Sequence, residues 1–253
     1  MTKARLLYVD NSIETFDFKD EGQCVVLSTC YKEDFKLLRL LEKLEYEVAE
    51  CEEVWPRDHY AYHNNNYIRA CDLDSLGEGG FYAYGRDYVI ISESAIGRRD
   101  DIELLENFLK ANVHTLDYFQ ENYNNCTKHW EHIDLTVLPI PQREIIFVDN
   151  RHYVQQKKRL HEIAEIEKQK LVPIVTASKK WPLNSLVLEK EGEAIVITNS
   201  LCKMFTETLK KHDIRTYTVR ISKRPGYGGS IRCATNITPS KKFLEEVLEV
   251  ELK

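Results

Sequence analysis

The sequence predicts an α/β chain of about five similar strand-and-helix modules arranged in a ring. Two observations carry this. The order of two strands, a helix and a further strand recurs along the chain. The corresponding points Gly80, His132 and Asn184 are also 52 residues apart each time, with Cys233 49 residues further on. A module of this size cannot bury its own apolar face, so modules must stack on their neighbours. In a ring of them, equivalent strand starts converge on the axis. That singles out Gly80, His132, Asn184 and Cys233.

The elements follow from local pattern. Cys24 to Thr29 reads as a strand, and a helix follows over Lys32 to Leu44, where Phe35, Leu38, Leu41 and Leu44 recur at helical spacing. A short strand over Tyr46 to Cys51 leads into Trp55-Pro56-Arg57-Asp58, where proline ends regular structure. Residues 59 to 76 are polar and Asn-rich and read as an irregular excursion, with a strand signal only near Tyr67 to Cys71. Phe81 to Tyr84 and Tyr88 to Ser92 flank Gly85-Arg86-Asp87 as a hairpin, followed by a helix over Asp100 to Ala111 and a strand over Val113 to Tyr118. The same order returns with strands at Ile133 to Leu138 and Glu144 to Val148, a charged helix over Gln155 to Lys170 and a strand at Val172 to Ala177. It returns again at Ser185 to Leu188, Ala194 to Thr198, Leu201 to Lys211 and Arg215 to Ile221. With the first strand-helix-strand segment, and Cys233 opening another, this makes five units.

Composition narrows the function. Lys and Arg number 35 against 41 Asp and Glu, a net charge of -6 that fits a nucleic-acid binder poorly and a cationic small ligand mildly. The first ten residues lack the apolar run of a secretory signal, and no later run approaches the roughly 18 residues a bilayer span needs. A cytoplasmic protein without membrane attachment is expected. The seven cysteines are odd in number, scattered and free of C-x-x-C pairs, which argues for thiols rather than disulfides or a zinc site.

Four groups make chemical sense together. In Glu131-His132-Ile133-Asp134, strand alternation would place His132 and Asp134 on one side. Asp58, in the turn after Trp55, is a second carboxylate, and Cys233 follows the glycine pair Gly228-Gly229. Alone, each has an ordinary reading: a surface pair, a surface turn, a small buried hydrophobe. Jointly they suit a guanidinium. Two carboxylates can accept its paired N–H donors and fix its plane. Its central carbon is electrophilic, so a thiolate can attack it, and the cation itself lowers the thiol pKa on binding. Cys233 is the candidate nucleophile. His132 is the candidate acid and base that protonates the departing amine and then deprotonates the hydrolytic water.

Trp55-Pro56-Arg57-Asp58, Glu78-Gly79-Gly80, His132-Ile133-Asp134 and Gly228-Gly229-Ser230-Ile231-Arg232-Cys233, in this order, resemble the guanidine-modifying superfamily of pentein fold. The set is most similar to the agmatine deiminase and bacterial peptidylarginine deiminase branch. The resemblance spans about residues 24 to 236. It implies a five-bladed pseudo-symmetric α/β propeller, one domain over residues 1–253, with no metal and no organic cofactor. By matching positions, Cys233 and His132 would be catalytic and Asp58 and Asp134 would bind the guanidinium. Trp55 and Glu78 would border the pocket, and Asn184 would make a structural polar contact. The implied partner is a cationic guanidino small molecule or an arginine side chain, and a homo-oligomer is allowed. A deiminase releasing ammonia is the leading expectation. An amidinotransferase using the same residues, or an idle pentein serving as a binding module, are the alternatives.

The chain departs from that branch in places. His59-Tyr60 follows Asp58 where Gly-Pro is usual, and Arg232 stands where agmatine deiminases have His. A cation beside the nucleophile could support a thiolate or pair with a substrate carboxylate, whereas alternation along a strand from Cys233 would point Arg232 away from the pocket, into a salt bridge. The chain length is nearer that of the dimethylarginine hydrolases, so the substrate's tail stays open.

Overall fold

A computed structural model of the chain describes residues 2–7, 13–18, 24–28, 34–51, 60–63, 66–69, 79–96, 99–117, 119–123, 126–130, 132–175, 181–221 and 230–238. The chain divides into two compact units, residues 1–79 with 219–253, and residues 80–218.

The first unit opens with β1 (Thr2–Leu7) and β2 (Ile13–Phe18), an antiparallel pair. Then β3 (Cys24–Ser28), buried at every residue, leads through α1 (Asp34–Lys43) to β4 (Glu47–Cys51), which pairs parallel with β3. Such a crossover helix is what a parallel pair requires. The buried stripe runs Leu37, Leu41 and Leu44, so the face is centred one residue away from the expected Leu38, which is half-buried. The stretch expected to be irregular instead forms a hairpin of β5 (Tyr60–His63) and β6 (Asn66–Arg69). Buried Tyr60, Ala61, Tyr67 and Ile68 explain it, because aromatic and β-branched residues suit a pleated surface even in a polar context. Strand β6 pairs parallel with β1, giving the order β2-β1-β6-β5.

The second unit repeats one module three times. In the first copy β7 (Tyr82–Tyr84) pairs antiparallel with β8 (Tyr88–Ser92), and α2 (Arg99–Leu109) leads to β9 (Asn112–Leu116), parallel to β8. A separate hairpin of β10 (Phe119–Tyr123) and β11 (Cys126–Trp130), which the pattern does not foretell, follows. The second copy is β12 (Val137–Ile140), β13 (Ile145–Asp149), α3 (Asn150–Ile166) and β14 (Lys170–Ile174), with the same two pairings. The third is β15 (Leu186–Lys190), β16 (Glu193–Asn199), α4 (Lys203–Lys211) and β17 (Arg215–Val219), in the order β15-β16-β17.

Central strands bury both faces, which is why they read as continuous apolar runs. On β13, Ile146 and Val148 pack with Leu160 and Ile163 of α3 and with Ile90 of the preceding sheet. Ile145 and Phe147 point the other way, against Val196, Phe205 and Leu209 of the next module. Phe147 and Phe205 meet edge to face, with centroids 5.5 Å apart. Each of the helices α1 to α4 is followed by a non-glycine residue in the left-handed region: Glu45, Lys110, Lys168 and Asp213, at φ 63, 53, 53 and 54°. A six-to-one bond closes three of these ends: Tyr46 N–H to Leu41 O at 3.1 Å, Gln169 to Ala164 at 2.7 Å, and Ile214 to Leu209 at 3.1 Å. This shared stop is an internal repeat of conformation that glycine does not mark.

The chain returns to the first unit with β18 (Thr235–Thr238), antiparallel to β3 from Thr235 opposite Leu27 to Thr238 opposite Cys24. The strand after Cys233 therefore does not begin a fifth unit. It supplies the lead strand of the first, completing β18-β3-β4. The remaining sheet has the same logic, β5 antiparallel to β6 and β6 parallel to β1. No helix among the described residues is long and apolar enough to cross a membrane.

Candidate active site

His132 and Asp134 stand on one tight turn ahead of β12. Residues Ile133–Leu135 form a single 3-10 turn, with His132 as its extended cap at φ -72° and ψ 112°. Leu135 N–H donates to His132 O at 3.4 Å and Thr136 N–H to Ile133 O at 3.0 Å. The strand expected from Ile133 is thus a turn, and β12 starts only at Val137. Strand alternation therefore does not relate His132 to Asp134, since a 3-10 turn has three residues per turn rather than a period of two. Asp134 is fully buried, and His132 is half-buried. A carboxylate at that depth is rare unless donors match it, so its placement marks a polar centre in the fold.

The imidazole of His132 is shaped from one side by the chain ahead of β7. A Cβ built on Gly80 would strike the ring, lying 2.8 Å from Cε1 and 2.9 Å from Cγ. Phe81 packs edge to face on the same ring, with centroids 5.0 Å apart. Gly80 is therefore a close-approach glycine, chosen for its missing side chain.

Behind the turn lies a residue that sequence reasoning misses. His152 of α3 is fully buried, with Nδ1 2.8 Å from Thr136 Oγ1 and Nε2 3.0 Å from Asp117 O. A carbonyl only accepts, so Nε2 carries the proton and Nδ1 accepts from the Thr136 hydroxyl. Burial lowers the His152 pKa to about 4, against the pull of the Asp117 carbonyl. His152 is accordingly neutral and props the turn at its C-terminal end. Asp149 caps α3, accepting from Arg151 N–H at 2.8 Å, and its own N–H donates to Thr136 O at 2.8 Å.

Cys233 belongs to the first unit and sits in a turn over residues 231–234, directly ahead of β18. Ala234 N–H donates to Ser230 O at 3.3 Å, Thr235 N–H to Arg232 O at 3.1 Å, and the Thr235 hydroxyl to Ile231 O at 3.0 Å. Ser28 N–H then ties Ala234 O to β3 at 3.1 Å. The Cys233 side chain is buried, with 7 % exposure, and Cys24, Cys202 and Cys233 are thiols. Arg232 is buried at 8 % exposure and lies in the same turn, so strand alternation from Cys233 does not set its direction. Asn184 occupies the equivalent turn before β15, fully buried, with its N–H donating to Trp181 O at 3.1 Å. Trp55, Asp58 and Glu78, with Gly228 and Gly229, lie outside the described residues.

The common feature is positional. Gly80, His132, Asn184 and Cys233 each occupy a tight turn just ahead of the antiparallel lead strand of their own sheet. In sequence, Asp58 precedes the lead strand β5 in the same way.

No family model matches the sequence, and no curated protein matches it. Solved structures do. SxtG, an amidinotransferase of saxitoxin biosynthesis from Microseira wollei, superposes with a TM-score of 0.63 at 13 % identity, over 84 % of this chain and 93 % of that one. The N-terminal domain of ArgZ, a cyanobacterial arginine dihydrolase solved with its product, gives 0.60 at 13 % identity over 86 % and 97 %. A dimethylarginine dimethylaminohydrolase, solved as an adduct with 4-chloro-2-hydroxymethylpyridine, gives 0.58 at 12 % identity over 85 % and 99 %. The chain thus shares the fold of these three proteins, the pentein fold.

Proposed function

We propose that this protein cleaves a C–N bond of a guanidino compound through a covalent intermediate on Cys233. Five of the sheets, each opened by an antiparallel lead strand, are read as the blades of a pseudo-symmetric α/β propeller. Asp58 and Asp134 accept the N–H donors of the guanidinium and hold its plane. The Cys233 sulfur bonds to the central carbon, and the C–N bond to the leaving group breaks as His132 protonates the departing amine. Water then attacks the resulting thiouronium, His132 takes its proton, and the C–S bond breaks to leave a ureido product and the thiol. With ammonia as the leaving group the enzyme is a deiminase. Trp55 and Glu78 border the bound group. The substrate is a small cationic guanidino compound or an arginine side chain.

The observation that carries this reading is the repeated placement of reactive side chains on lead-strand turns, in a fold shared with an amidinotransferase, an arginine dihydrolase and a dimethylarginine hydrolase. The likeness to the amidinotransferase favours a second outcome, in which an amine rather than water resolves the intermediate. The similarity to agmatine deiminases rests on the motifs alone. Incubation with arginine, agmatine, methylated arginines and an arginine peptide, with and without an added primary amine, tests both. Ureido product and ammonia support hydrolysis, and an amidinated amine supports transfer. No turnover by folded protein on any of them contradicts the proposal.

A further inference from the structure

Within the first unit, two strands far apart in sequence are joined by a reciprocal pair of side-chain bonds. The Tyr60 hydroxyl at the start of β5 donates to Ile237 O of β18 at 3.1 Å. In return, Asn236 Nδ2 of β18 donates to Tyr60 O at 3.0 Å, while Asn236 Oδ1 accepts from Ile237 N–H at 3.0 Å. Tyr60, Asn236 and Ile237 are 1, 1 and 5 % exposed, so these bonds are shielded from competing water. Each strand thus gives one side-chain donor to the other's backbone, which fixes their offset as well as their separation.

The location gives the clasp a use beyond packing. Asp58 lies two residues before Tyr60, and Cys233 three before Asn236. The 231–234 turn is bonded onto Thr235 at the head of β18, so a shift of that strand carries the cysteine with it. We infer that Tyr60 and Asn236 are positioning residues that hold the Cys233 turn in register with the chain that follows Asp58. This rests on the reading of Cys233 as nucleophile and Asp58 as a guanidinium carboxylate. Attack on a held planar cation is sensitive to such register, since a misplacement of about 1 Å can cost on the order of 100-fold in rate.

The test needs no knowledge of the substrate. The probes are 2-chloroacetamidine, a planar cation, and 2-chloroacetamide, its neutral counterpart; each alkylates a thiol with loss of chloride. In the wild-type protein the amidine should react faster and label Cys233. In Tyr60→Phe, which keeps the ring and removes only the hydroxyl, the ratio of the two rates should fall about tenfold or more. The chloroacetamide rate should stay within about twofold, measured well below the melting midpoint. Asn236→Ala should do the same, and if it fails to fold, Tyr60→Phe decides alone. An unchanged ratio in folded Tyr60→Phe, or equal loss of both rates, overturns the positioning role and leaves the proposed chemistry standing. No amidine preference in the wild-type protein, or labelling of another cysteine, overturns both.

Discussion

The space that a Cβ on Gly80 would fill is occupied by the imidazole of His132. The two residues lie 52 apart in sequence and on different modules, yet one is small because the other is large. Phe81 adds a second constraint by packing on the same ring.

Gly80→Ala should therefore displace His132 rather than merely crowd a core. We expect turnover to fall about tenfold or more, with destabilisation of about 1–3 kcal/mol from overpacking. Gly192→Ala is the control. Gly192 has φ 79°, and a Cβ there would meet nothing within 4 Å, so alanine should cost about 1 kcal/mol through left-handed strain and leave turnover intact. Steady-state kinetics beside thermal melts separates the two, and equal turnover in both variants counts against the placement of His132.

Cys233→Ala should abolish turnover, by at least about a thousandfold, while lowering stability by no more than about 1 kcal/mol. Cys202, buried between the second and third sheets of the second unit's repeated modules, should show the reverse: Cys202→Ala costs stability and spares the rate. Loss of activity in Cys202→Ala with retention in Cys233→Ala would move the nucleophile.

Much of this is legible in the sequence, for identifiable reasons. Continuous apolar strands such as Ile145 to Val148 announce themselves because both faces are buried, and the hairpin at Gly85 carries its own turn residues. The turn at Ile133 to Leu135 reads as strand because its apolar and polar residues alternate; the bonds of Leu135 and Thr136 back to His132 and Ile133 decide the matter. The hairpin from Tyr60 to Arg69 is hidden by its Asn-rich composition, although Asn64-Asn65 between aromatic runs is a usable signal. The pairing of β18 with β3 joins the two ends of the chain and leaves no local trace, so Cys233 reads as the start of a separate unit. His152 reads like any other residue of a charged helix, since only its burial beside Thr136 gives it a role.

His152 predicts a pH dependence of stability. Burial lowers its pKa from 6.5 to about 4, so between those values the unfolded chain binds more protons than the folded one. Stability from this group is fully present above about pH 6.5 and is lost as pH falls towards 4, a change of about 3 kcal/mol at most. In urea titrations, the stability gap between wild type and His152→Gln should narrow over that window. A gap independent of pH would show that His152 is not held neutral by burial.

Lys168 follows α3 at φ 53°, where a side chain is strained and glycine is not. Lys168→Gly should raise stability by about 0.5–1 kcal/mol without changing activity, read from the melting midpoint. A fall in midpoint would mean that the lysine side chain contributes more than the strain it carries.

The covalent intermediate proposed on Cys233 is tested by intact and peptide mass spectrometry of protein mixed with guanidino compounds and quenched in acid. The expected result is a transient added mass on the peptide containing Cys233, equal to the substrate less ammonia for a deiminase and to the amidino group alone for an amidinotransferase, and none in Cys233→Ala. Product formation without any adduct on Cys233, or an adduct that survives in Cys233→Ala, would contradict it.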